Sequence, residues 1–175
     1  MSFFALFTSF SGRINRARWW LGMVVLWVVG LVSAFGTNPA LLSAMTDPES
    51  LSDPAAVAEL SRPSMLLIVI SIILTIAALA VIFKRLNDRN WPAIVKYIVG
   101  IIYMGATIAS NAILFSAPDM LAAQQTVAPL GWAQGIVFLF LLIDNGMLKG
   151  TVGPNQYGDD PLGTPALPGT PPPVA

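Results

Sequence analysis

The stretch that decides the fold is MLLIVISIILTIAALAVIFKRLNDRNW, Met65–Trp91. Its first nineteen residues, Met65–Phe83, carry no charge, and its last eight carry four. A hydrocarbon core of about 30 Å takes roughly 20 apolar residues to cross as a helix. Peptide groups find no water there, so a spanning segment must satisfy its own hydrogen bonds. Met65–Phe83 therefore predicts a transmembrane helix, and KRLNDRNW predicts the polar turn that follows it. Asn87, Asp88 and Asn90 are turn formers, and Pro92 suits the start of the next helix.

Working outward, three further runs meet the same length test: Trp19–Phe35, Ala93–Phe115 and Gly131–Leu148. The third run is interrupted by Lys96 and Asn111, and the fourth contains Asp144 near its end. Lys96, one turn into its run, can reach back to the interface along its alkyl stem. The segments 36–64 and 116–130 are read as connections. In the longer one, Leu51–Leu60 predicts a short helix with Asp53 as N-cap and Pro54 as its first residue. Composition agrees: 55% of the 175 residues are hydrophobic and 10% are charged, against about 25% charged in a soluble domain. The fold expected is an all-α integral membrane four-transmembrane-helix bundle, a single membrane domain over residues 1–160.

Both ends of the chain are predicted to differ from this core. On a helical wheel, Phe3, Phe4, Leu6, Phe7 and Phe10 share one side and Ser2, Thr8 and Ser9 the other. Residues 2–11 thus predict an amphipathic helix lying in the interface. Residues 161–175 hold six prolines and no charge, which predicts a disordered tail of polyproline II character. Val32-Ser33-Ala34 has the small residues of a signal cleavage site, but the long aromatic leader before Trp19 favours a retained span.

Eight of the nine Lys and Arg residues fall in three cassettes: FSGRINRARWW (Phe10–Trp20), FKRLNDRNWPAIVK (Phe83–Lys96) and LKGTVGPNQYGDDP (Leu148–Pro161). All three belong to one end of the predicted spans. The other end has Arg62 alone, with Asp47, Glu49, Asp53, Glu59 and Asp119. The positive-inside bias then places both termini and the central turn in the cytoplasm. Net charge is zero, which offers no field for nucleic acid.

Neither Cys nor His occurs in the chain. Thiolate nucleophiles, disulfides, Cys/His zinc sites and histidine bases are excluded, and no cofactor or metal is expected. The polar residues that suggest a site are Arg13, Arg16, Arg18, Lys84, Arg85, Asp88, Asp144, Asn155 and Tyr157. Arg13, Arg16 and Arg18, next to Trp19 and Trp20, fit an interfacial belt near lipid phosphates. Arg85 and Asp88 stand at i, i+3 and can pair on one helix. Asp144 lies five residues before Lys149, about 7.5 Å inside its span's end. A carboxylate at that depth calls for a partner, and Arg13, Arg16 or Arg85 is the expected one. Gly153 and Gly158 have the outer spacing of a phosphate loop, but Asp159 and Asp160 follow where such a loop needs Lys and Ser/Thr. The segment is read instead as a turn that folds back under the bundle, with Asn155 and Tyr157 bonding to the arginine cassettes.

GRINRARWW, KRLNDRNW and KGTVGPNQYGDDP resemble, in order and spacing, the signature blocks of the DUF805 family, small bacterial inner-membrane proteins. The resemblance covers residues about 8 to 161. The family's usual second block reads roughly Arg-Arg-Leu-His-Asp; here Lys84 replaces the first Arg and Asn87 the His. The resemblance implies four membrane helices and supplies no activity.

Without a catalytic constellation or mid-span charge, the favoured function is a non-enzymatic scaffold, regulatory or lipid-interacting component acting through a basic cytoplasmic face. The alternatives are a transporter or channel subunit, with an aqueous cavity at Thr107, Asn111 and Gln134, and a lipid-headgroup enzyme, with Asp88, Asp144 and an arginine in one pocket. Expected partners are membrane lipids, anionic headgroups among them. Gly131-xxx-Gly135, Gly146-xxx-Gly150 and Gly105-xxx-Ala109 permit close helix approach, leaving a homo-oligomer or a membrane-protein partner open.

Overall fold

A computed structural model describes residues 2–46 and 52–163. The regular elements among the described residues are helices, with an isolated pair of backbone hydrogen bonds between Asn155 and Gly158 in the irregular segment after the last one. A single turn, α1 (Ala5–Thr8), precedes the first long helix, α2 (Arg16–Thr37). Two short helices follow, α3 (Pro39–Thr46) and α4 (Pro54–Leu60). Three long ones complete the chain: α5 (Met65–Asp88), α6 (Ala93–Ser116) and α7 (Met120–Leu141), which continues as a π-helical turn over Leu142–Met147. Four helices are long and apolar enough to cross a membrane.

Local chemistry sets the starts. The side chains of Asn15, Ser64 and Asp119 accept hydrogen bonds from the backbone N–H of Arg18, Leu67 and Ala122, capping α2, α5 and α7. Asp53 caps α4 through Ala55 N–H at 2.9 Å, with Pro54 as the first helical residue, as the sequence predicts. Between α5 and α6 the chain turns sharply at Asn90, whose φ of 60° is the one positive φ at a non-glycine residue among those described. Asparagine tolerates that conformation better than other side chains.

Three boundaries differ from the sequence reading. Helix α5 runs on through KRLND to Asp88 because the polar side chains there are buried and partnered. Helix α7 begins at Met120, eleven residues before the apolar run, and carries Pro129 in its interior. The N-terminal amphipathic segment is one turn, not residues 2–11, and its apolar residues diverge. Leu6 packs into the core while Phe3 and Phe4 stay exposed. The proline-rich tail lies, from residue 164 on, outside the described residues.

Helix α2 packs on α5, α5 on α6 and α6 on α7; α4 lies against α7, α1 against α5, and the π-helical turn against α2. Two apolar clusters form the core. Leu6, Ile14, Trp19, Leu26 and Val81 make one; Leu79, Ile82, Leu86, Val99 and Leu141 make the other. Both gather where α5 ends. Nine of its last ten residues, Leu79–Asp88, are buried, only Phe83 being less so. Farther along, the helices turn apolar residues outward; Trp27, Leu31, Ile101 and Ile136 are each more than 60% exposed. An apolar surface that continuous marks a contact with something other than water.

Candidate functional site

The polar residues converge where α2 begins, α5 ends, α6 begins and α7 unwinds. Asp88 is at the centre. Its Oδ1 accepts from Arg13 Nε at 3.1 Å and lies 3.0 Å from Arg13 Nη2, and its Oδ2 pairs with Arg85 Nη1. The Arg13 and Asp88 side chains are 1% and 3% exposed. One carboxylate thus faces two buried guanidinium groups, an arrangement that survives burial only when the remaining donors are also satisfied.

They are satisfied by backbone carbonyls from both sides. Arg13 donates to the carbonyls of Gly153 at 2.7 Å, Gly158 at 3.1 Å and Thr151 at 2.6 Å, so the segment after α7 wraps around it. Arg85 donates to Asn145 O at 2.8 Å and to the carbonyls of Ile14 and Leu148. The widened π-helical turn makes this geometry available. It leaves successive carbonyls without helical partners, and cations suit that negative helix end. Arg16 Nη1 takes Met147 O at 3.0 Å and the Trp20 indole N–H takes Gly146 O at 3.2 Å. Two glycines allow the approach. A Cβ on Gly146 would come 2.9 Å from the Trp19 ring, and one on Gly150 would overlap the Asp88 carboxylate.

Lys84 is buried too, and its ammonium donates to the carbonyls of Ala5 (2.7 Å), Leu6 (2.8 Å) and Ser9, closing the C-terminal end of α1. Asn87 joins three segments: its side chain donates to Gly12 O at 2.9 Å, it accepts from Lys96 Nζ at 2.7 Å, and its carbonyl accepts from Asn155 Nδ2 at 2.9 Å. Tyr157 donates its hydroxyl to Trp91 O at 2.7 Å, with Lys96 Nζ 4.0 Å from its ring centroid. Asn155 and Tyr157 therefore bond to backbone of the second cassette, while the arginines are met by carbonyls of the third.

Asp144 corrects the expected pairing. Its partners are Arg89 Nε at 3.2 Å and the Trp91 indole N–H at 3.0 Å, not Arg13, Arg16 or Arg85. The π-helical turn rotates it toward the α5–α6 connection, a rotation no straight-helix reading anticipates. Asn87, Arg89, Trp91, Lys96 and Thr151 belong to this cluster without standing among the sequence's candidate site residues, and Gly150 had a reading there only as half of a small-residue pair. Thr151 is the least legible: its N–H and hydroxyl both donate to Asp88 O at 2.8 Å. Arg13, Lys84 and Arg85 are enclosed, whereas Arg16 and Arg18 are exposed.

Two cavities accompany the cluster. The first, about 360 Å³, is lined by Arg16, Arg85, Lys149, Asp88, Thr151 and Asp160, among others. Arg16 and Lys149 form no ion pair with a described residue. The second, about 410 Å³, lies at mid-span and is lined from all four long helices, by Met23, Trp27, Leu74, Thr107, Gln134 and Phe138 among others. No charged side chain lines it. Its polar groups turn on one another: the Thr75 and Thr107 hydroxyls are 3.2 Å apart, and Gln134 Nε2 donates to Tyr103 O at 3.2 Å. Asn111 stands outside it, donating to Ser71 Oγ at 3.1 Å and Thr107 O at 2.8 Å.

Four long apolar helices tied at one end by buried arginine–aspartate pairs have the build of a small multi-pass membrane protein. The chain belongs to the DUF805 family, whose model matches residues 7–159 and whose description is a protein of unknown function. The match takes in the polar cluster and all four long helices. No curated protein and no solved structure matches the chain.

Proposed function

We propose that this is an integral protein of the bacterial inner membrane, with both termini in the cytoplasm, that acts without enzymatic chemistry by engaging anionic lipid headgroups on its basic face. The observation that carries this reading is the division among the cations. Arg13, Lys84, Arg85 and Arg89 are spent on carboxylates and carbonyls of the fold. Arg16 and Lys149 are exposed, form no ion pair with a described residue and border a cavity of about 360 Å³, Arg16 keeping one bond to Met147 O. Asp88 and Asp160 also line that cavity, Asp88 held by Arg13 and Arg85 and the Asp160 carboxylate accepting from the N–H groups of Gly153 and Leu162. Cations at headgroup level attract acidic lipids by about 1 kcal/mol each. Membrane insertion and orientation are supported by the outward apolar surfaces and by the gathering of eight cations at one end.

The competing functions find less support. A lipid-headgroup enzyme needs a carboxylate free to act, and Asp88 and Asp144 are both engaged in ion pairs. An ion or polar-solute pathway needs a wet mid-span, and the cavity there has largely apolar walls.

The test is thermal unfolding in neutral detergent with phosphatidylglycerol or phosphatidylcholine added. A ligand at 100 times its Kd stabilises by about 2.7 kcal/mol, which for a chain of this size is a rise of roughly 5–11 °C. That rise is expected with phosphatidylglycerol and not with phosphatidylcholine, and it should vanish in Arg16→Gln/Lys149→Gln. Equal shifts with both lipids would defeat the proposal.

A further inference from the structure

The two cavities lie on one side of α2. Arg16 borders the first, Met23 and Trp27 border the second, and Trp20 stands between them. Positions 16, 20, 23 and 27 recur at i, i+4, i+7 and i+11, which is a single helical stripe. From Arg16 to Trp27 is eleven residues, or about 16.5 Å at 1.5 Å per residue. One leaflet is half of a hydrocarbon core of about 30 Å, so roughly 15 Å. The distance from the basic cavity to the mid-span cavity therefore matches the depth of one acyl chain.

The floor of the path is fixed. Trp20 is held by its bond to Gly146 O at 3.2 Å while the residue stays 43% exposed. The Trp27 and Phe138 rings, with centroids 6.1 Å apart, join α2 to α7 beside the inner cavity. Gly135 lines that cavity, and a Cβ built on it meets nothing within 4 Å. Apolar walls and mutually bonded polar groups leave water little to hold it there. A lipid tail fits the walls, and tails are the surrounding solvent at that depth.

We propose that a single anionic phospholipid binds along α2, its phosphate between Arg16 and Lys149 and one acyl chain in the mid-span cavity. This rests on the headgroup reading above and adds the chain. Binding then depends on charge at one end and on free volume at the other, and it is stoichiometric rather than a loose annulus.

Native mass spectrometry of the full chain in neutral detergent separates the two. The probes are phosphatidylglycerol and phosphatidylcholine with identical long chains, and dihexanoyl phosphatidylglycerol as a headgroup with almost no tail. The wild-type protein should retain one long-chain phosphatidylglycerol. Arg16→Gln/Lys149→Gln should lose its preference over phosphatidylcholine. Gly135→Leu, which fills the cavity, should weaken the long-chain lipid about tenfold and leave the dihexanoyl lipid unchanged. If charge matters but chain length and Gly135→Leu do not, the acyl-chain inference fails and the headgroup reading stands. If phosphatidylglycerol is not preferred at all, both fail. Should Gly135→Leu fold poorly, the unaltered protein decides: phosphatidylglycerol brominated on its chain should quench fluorescence that is missing in Trp27→Phe, more than brominated phosphatidylcholine does. Equal quenching would overturn the inference.

Discussion

Asp88→Asn removes one charge and changes almost no volume, so it isolates the electrostatic role of the central carboxylate. In the native cluster that carboxylate faces Arg13 and Arg85, with side-chain exposures of 1% and 3% for the Arg13 pair. The pair is therefore in the buried class, where loss of one partner costs about 3–5 kcal/mol, and not in the surface class of 0–1 kcal/mol. Asparagine also turns an NH2 toward at least one guanidinium, setting donor against donor. Arg13 keeps its carbonyl bonds to Thr151, Gly153 and Gly158, which holds the estimate near the lower figure, about 3 kcal/mol. Equilibrium unfolding in mixed micelles measures it, in a cycle with Arg13→Gln. The double variant should recover part of the loss, with a coupling of about 0.5–3 kcal/mol. A loss below about 1 kcal/mol with strictly additive singles would show that Asp88 is not the centre of the cluster.

Asp144→Asn should cost less than Asp88→Asn, about 1 kcal/mol, because its partner Arg89 is 25% exposed and Trp91 can still donate to the amide oxygen; the same unfolding assay ranks the two. Lys84→Met should free α1, with faster amide exchange over residues 5–9 and a loss of about 1–3 kcal/mol from carbonyls left without a donor. Asn145→Leu should be neutral or stabilising, since both polar atoms of its buried side chain lack a hydrogen-bond partner among the described residues; a large destabilisation in the same assay would mean that the amide is satisfied in membranes by water or lipid. At the other end, the hydrogen bond from Arg62 holds the Glu59 carboxyl below its ordinary value, the charge of Arg62 adding to the effect against partial desolvation. A lowered folded pKa means that the pair's contribution is present above the unfolded carboxylate value and is lost as pH falls through the folded one. The carboxyl resonance of Glu59 should accordingly titrate below that of a free glutamate, and return to it in Arg62→Gln.

The four helices were legible because length and apolarity are local signals, and the shared polar end because cations cluster in sequence. What escaped the sequence depended on rotation and partners. FKRLND looks like a connection since it is polar, yet Lys84, Asn87 and Asp88 at i, i+3 and i+4 share a side of a continuing helix, and burial with partners makes helix the better state. The start of α7 was hidden by Gln124, Gln125, Thr126 and Pro129, which break an apolar run without breaking a helix. Its real marker is Asp119, which accepts from Ala122 N–H at 3.1 Å, the same device that Asp53 supplies for α4. The partner of Asp144 turned on the π-helical turn, for which LIDNGM gives no periodic sign. Gly150 had a reading as half of a small-residue pair. Its position is instead set by the Asp88 carboxylate, a contact between residues 62 apart in the chain.

The cation count that orients the chain overstates what is free to meet a ligand. Of the eight cations at the polar end, Arg13, Lys84, Arg85, Arg89 and Lys96 are bound to carboxylates, carbonyls or the Asn87 side chain. Arg16, Arg18 and Lys149 are exposed and form no ion pair with a described residue, Arg16 having one carbonyl bond, to Met147. Buried cations are costly to move and costly to strip of partners, so the first group behaves as part of the fold. Exposed cations carry little folding energy and are the ones a headgroup can reach. Neutralising members of the first group should therefore change unfolding and orientation together, and neutralising members of the second should change lipid preference alone. The same residue type, on the same membrane face, serves opposite ends according to whether the fold encloses its charge or leaves it exposed.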